Sequence, residues 1–91
     1  MWIVKEHKIK ATKVIDKAPI QVQKKYTLWK QIIVQDGPLA VRKIGGFCDE
    51  PLSGEWKGCR SSRLNDKYRV MYRTEEEIVT VFVEKIGPHN Y

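Results

Sequence analysis

Val22, Tyr26, Trp29 and Ile33 stand four, three and four residues apart, so on an α-helix they form one apolar stripe, with Gln23, Lys24 and Lys30 outside it. A helix of residues 20 to 35 built this way needs a second apolar layer to cover the stripe. Pro19 suits the first turn of this helix, and Gly37-Pro38 stops it. The covering layer is supplied by three strand candidates, residues 57 to 64, 67 to 73 and 78 to 86. Asn65-Asp66 reads as a two-residue turn between the first two, and Glu75 to Glu77 as a polar turn between the second and third. Ahead of the long helix, residues 2 to 6 read as a short strand, and KIKATKVIDK, residues 8 to 17, as a short helical segment with few apolar anchors. Between Leu39 and Gly58 lie Gly45, Gly46, Pro51 and Gly54, which predict a long ordered loop with short strand pieces. The expected class is α+β in the order β-α-α-β-β-β, an antiparallel sheet with two helices packed on one face.

Ninety-one residues hold one core, so a single domain over 1–91 is expected. Lys and Arg outnumber Asp and Glu by 17 to 11, a net charge of +6 that favours phosphate polymers or an acidic protein over a neutral small molecule. The excess is concentrated in RSSRLNDKYRVMYR, residues 60 to 73, which holds Arg60, Arg63, Lys67, Arg69 and Arg73. Alternation sends Tyr68, Val70 and Tyr72 to one face and Arg69, Met71 and Arg73 to the other, so a core face is backed by a cationic one. On charge alone, a solvated strand face and a phosphate-binding face are equally good readings. The apolar run MWIV ends at Lys5, too short for a signal peptide or a membrane span. Cys48 and Cys59 therefore read as reduced, partly buried thiols of a cytoplasmic protein, with no second Cys or His at metal-ligand spacing.

Cleavage of RNA requires a base for the 2′-OH proton, a cation for the crowded phosphorane and an acid for the 5′-oxygen that leaves. Glu50, Arg69 and His89 fill those roles in that order without metal or other cofactor, although spacing alone does not bring them together. Without that convergence, Glu50 balances local charge and His89 is incidental. Histidine suits the acid role because its ordinary pKa of about 6.5 makes both protonation states accessible near neutrality.

The order of elements, the segment EPLSGEWKGCRSSRLNDKYRVMYR and the ending PHNY resemble the RelE/ParE superfamily of bacterial type II toxins, and within it the YoeB-like ribonuclease toxins. The resemblance implies ribosome-dependent cleavage of mRNA and arrest of translation. It implies Glu50 as general base, Arg69 as the transition-state arginine and His89 and Tyr91 as the terminal catalytic pair, here separated by Asn90. RelE-like relatives often use lysines in place of the acid, so Lys57, Arg60 or Arg63 could share the role of Glu50. Lys57, Arg60, Arg63, Lys67 and Arg73 would hold the phosphates of mRNA and ribosomal RNA. The implied partners are mRNA, the ribosome and a cognate antitoxin, with operator DNA bound only through the antitoxin complex. Two other classes remain at this stage: a ParE-like inhibitor of DNA gyrase, and an inactive binding module of the same fold.

Overall fold

The computed structural model describes residues 2–85. Its elements are β1 (Ile3–Glu6), a π-helical turn (Lys8–Thr12), α1 (Lys13–Asp16), α2 (Ile20–Asp36), α3 (Pro38–Arg42), β2 (Glu50–Pro51), β3 (Arg60–Arg63), β4 (Tyr68–Glu75) and β5 (Ile78–Lys85). Short 3-10 turns at Gly45–Phe47 and Gly54–Trp56 flank β2.

Helix α2 buries the stripe that its sequence spells: Val22, Tyr26, Trp29 and Ile33 are each at most 2% exposed. They pack on Tyr68, Val70 and Tyr72 of β4 and Val79, Val81 and Val83 of β5, the inward positions of two alternating strands. Trp29 meets Tyr72 edge-on with centroids 5.4 Å apart, and Tyr26 stacks beside Trp29 at 6.1 Å. Each apolar side chain buried here stabilises the fold by about 1.5–3 kcal/mol. Along the segment before α2, Ala11, Ile15 and Ala18 are buried in the core with Val14 packed against it, and its first turn is wound as a π-helix with His7 capping Lys10 N–H at 3.0 Å.

Gly37 ends α2 at φ 85°, donating its N–H to Ile33 O at 2.8 Å, and Pro38 opens α3 at once. A Cβ at this glycine would lie 2.6 Å from Trp2 Nε1, so both the backbone angle and the indole exclude a side chain. The expected loop from Leu39 onward thus begins as a helix, and Phe47 anchors its middle at 2% exposure.

Among the described residues the sheet has the order β1-β5-β4-β3-β2. Strands β2 to β5 are antiparallel to their neighbours, but β1 runs parallel to β5. The expected antiparallel sheet is therefore mixed. Alternation in a sequence shows which residues share a face, but not which strand lies alongside or in which direction. The expected two-residue turn at Asn65-Asp66 is also longer, since β3 ends at Arg63 and β4 begins at Tyr68. Asn65 Oδ1 accepts from the N–H groups of Lys67 and Tyr68, both at 2.8 Å, and this local bonding holds the wider loop.

Candidate functional site

The helices cover one face of the sheet, and the register assigns the side chains of the other. One row across the outer face reads Glu84, Arg69, Arg63; the next reads Phe82, Met71, Ser61, Glu50; a third reads Lys5, Thr80, Arg73. The candidate residues Glu50, Arg63 and Arg69 therefore meet. With Cys48 and Ser61 they line a polar notch of about 50 Å³.

Arg63 and Arg69 face each other on adjacent strands, a like-charge pairing that destabilises a sheet unless an anion lies between them. Arg69 is held from its other side by Glu84, whose Oε2 accepts from Nη2 at 2.9 Å and from Nε at 3.3 Å. Among the described residues Arg63 has no ion-pair partner, and the Glu50 side chain has neither hydrogen bond nor ion pair, although its backbone pairs with β3. The notch thus combines two guanidinium groups with a carboxylate acceptor, a set suited to a phosphate and an adjacent hydroxyl. Among the described residues no group of three or more His, Cys, Asp or Glu side chains converges as metal ligands would.

The other sequence candidates are distributed around this notch. Lys57 follows the Gly54–Trp56 turn and Lys67 lies in the β3–β4 loop, both exposed, and Arg73 is exposed on the outer face. Arg60 is different: it alternates to the helix side, where its Nε donates to Asp49 Oδ1 at 2.6 Å. His89 and Tyr91 lie outside the described residues. Cys48, expected to be partly buried, is exposed beside the notch with a left-handed φ of 46°, whereas Cys59 is buried.

Behind the notch lies a polar cluster that sequence reasoning missed. The side chain of Asp49 is 0% exposed, and besides Arg60 it accepts from Ser62 Oγ at 2.7 Å and from the hydroxyl of Tyr72. Trp29 Nε1 in turn donates to Ser62 Oγ at 3.0 Å. Burial, then the hydrogen bond and charge of Asp49, push the Tyr72 hydroxyl well above its ordinary pKa. Burial is the largest single influence on Arg60 and opposes its charge, but the hydrogen bond and charge of Asp49, with Tyr72, together outweigh it and raise its pKa. Because successive residues alternate across the sheet, tying Asp49 inward turns Glu50 outward. The signal in the sequence was the acid Asp49, next to Glu50 and ahead of a strand carrying Arg60 and Ser62. Only the register shows that they converge.

No family model and no curated relative matches the chain. Solved structures do match it over nearly its whole length. YafQ from E. coli is 12% identical with a TM-score of 0.72, the match covering 93% of each chain. The YoeB–YefM complex from Staphylococcus aureus matches at 18% identity and a TM-score of 0.70, over 96% of this chain and 98% of that one. The toxin–antitoxin complex RelBE2 from Mycobacterium tuberculosis matches at 22% identity and 0.67, over 92% and 96%. The chain therefore has the RelE/YoeB-type toxin fold, as the resemblance of residues 50 to 73 implied.

Proposed function

We propose that this protein is the toxin of a bacterial type II toxin–antitoxin pair and a ribosome-dependent mRNA endoribonuclease. The observation that carries the reading is the convergence of Glu50, Arg63 and Arg69 in one notch, on a fold shared with YafQ and YoeB. Glu50 takes the proton of a 2′-OH, the 2′-oxygen attacks the adjacent phosphorus, and the 5′-oxygen leaves. The products are a 2′,3′-cyclic phosphate and a 5′-hydroxyl, with the second proton supplied by His89 in the role its family resemblance gives it. Arg69 neutralises the charge that builds on the phosphorane, exchanging Glu84 for the phosphate as it does so. Arg63, Lys67, Lys57 and Arg73 hold the flanking phosphates, and Tyr91 orients the scissile one. Arg60 reaches RNA only by leaving Asp49.

The partner is a cognate antitoxin. Structures of YoeB with YefM and of YafQ with DinJ are toxin–antitoxin complexes, and an acidic antitoxin segment over the outer face would neutralise the uncovered cations here. Operator DNA would be met through that complex. The setting is cytoplasmic; no described helix is long and apolar enough to cross a membrane.

Single-turnover cleavage of mRNA on programmed ribosomes tests the reading, with toxin–ribosome binding measured alongside. Arg69→Ala should slow cleavage about 10²- to 10³-fold, the typical loss of one transition-state donor. Glu50→Gln and His89→Gln should each slow it on the order of 10²- to 10⁴-fold with binding nearly intact. Wild-type rates for Arg69→Ala would refute the assignment of the transition-state cation to this notch, and a wild type that inhibits gyrase and leaves mRNA whole would refute the nuclease in favour of the ParE-like class.

A further inference from the structure

Beside the polar notch, across the Arg69–Glu84 ion pair, lies a second cavity of different chemistry. It measures about 410 Å³ and is walled by Trp56, Phe82 and Met71, with Ile9 along one side and Lys10 and Glu84 as its charged groups. Trp56 and Phe82 stand edge to face, centroids 5.6 Å apart and planes at 63°, and His7 lies against Phe82 at 5.3 Å. Neither Trp56 nor Phe82 is fully buried. The soluble face of a sheet has no need of such a row of rings. Exposed aromatic surface beside cations is the composition of a site that stacks flat, partly polar groups.

We infer that this cavity is a nucleobase pocket, holding a base next to the scissile phosphate of the RNA cleaved at the adjacent notch. The inference rests on the nuclease reading and adds the substrate contact that reading lacks. Continuity supports it. Arg69 lines the notch, Glu84 lines the cavity, and the two side chains are in contact at 2.9 Å, so a nucleotide whose phosphate replaces Glu84 on Arg69 carries its base to the cavity mouth. Charge complementarity supports it too. Arg63 and Arg69 supply the cations that the phosphates need, and Lys10 donates from the rim. Glu84 holds Arg69 through Oε2 alone, and once the phosphate takes its place the carboxylate is free to accept from an amino group on a base edge. Stacking on Trp56 is tolerant of base identity, since every base has a π-face, and the Glu84 carboxylate then adds any preference.

The test pairs a protein change with an RNA change. Trp56→Ala and Trp56→Leu, the second keeping apolar cover without a ring, are assayed with wild type on programmed ribosomes. The mRNA is either intact or carries an abasic nucleotide on one or the other side of the scissile phosphate. Both variants should cleave intact mRNA roughly 10- to 100-fold more slowly, as expected for loss of one base–aromatic stack. One abasic position should slow the wild type by a similar factor and abolish the difference between wild type and variants. Variants that cut intact mRNA at the wild-type rate overturn the pocket, as do variants slowed equally on intact and abasic mRNA. A Trp56 change that weakens only antitoxin binding assigns the cavity to a protein side chain and overturns it as well. In each of these cases the nuclease reading survives, whereas a wild type that cleaves no mRNA refutes that reading and the pocket with it.

Discussion

Replacing Asp49 with Ala should cost about 3–5 kcal/mol of stability, the range found when one partner of a buried charge pair is removed. The structure gives the same scale by another route. The Asp49 carboxylate accepts from Arg60, Ser62 and Tyr72. Arg60, with 24% of its side chain exposed, can turn towards water and recover part of its loss. Ser62 and Tyr72, at 0% and 1% exposure, cannot, and each orphaned buried hydroxyl costs about 1–3 kcal/mol. A chain of this length has a total stability of about 5–14 kcal/mol, so the loss is a large fraction of it. The assay is urea unfolding followed by tryptophan fluorescence, for which Trp29, bonded to Ser62, is a local reporter. The midpoint should fall while the slope stays constant. Tyr72→Phe alone should cost about 1 kcal/mol, and in the Asp49→Ala background less, because there the hydroxyl is already unpaired. An Asp49→Ala protein within about 1 kcal/mol of wild type, or strict additivity of the two changes, would refute the buried cluster as the anchor of the β2 segment.

Three further expectations follow from particular residues. Gly37→Ala should cost about 1–3 kcal/mol through its φ of 85° alone, and should shift Trp2 fluorescence, because the new Cβ displaces the indole. Burial, then the Glu6 and Asp49 carboxylates, raise the pKa of Tyr26 and Tyr72 above the ordinary 10.0. Only the unfolded chain then loses these protons just above that pH, so stability holds below about pH 10 and falls above it by about 1.4 kcal/mol per pH unit per tyrosine. Tyr72→Phe should halve that alkaline slope in unfolding measured from pH 9 upward. For RNA binding, Arg63→Gln should reduce the slope of log K against log salt by about 1, while Arg60→Gln, on the helix side and bonded to Asp49, should leave it unchanged; filter binding across a salt series reads both.

Much of this protein was legible before any coordinates. The stripe from Val22 to Ile33, the alternation from Tyr68 to Arg73 and the stop at Gly37-Pro38 are local patterns, set by the 3.6- and 2-residue periods and by backbone freedom at one glycine. They determine a helix lying on a sheet with one core face and one cationic face, and the segment from Glu50 to Arg73 carries the family resemblance. Tertiary structure decided what depends on partners distant in the chain. Nothing in β1 indicates that it runs parallel to β5, because its alternation is the same for either direction. Arg60 and Arg63 look alike in sequence, yet a three-residue offset on a strand sends them to opposite faces, Arg60 to buried Asp49 and Arg63 to the notch. The pairing of Arg69 with Glu84 spans 15 residues, and the contact of Trp56 with Phe82 spans two strands and their turns. Such contacts arise from sheet register, which is set by the core face as a whole, and no short stretch of sequence contains it.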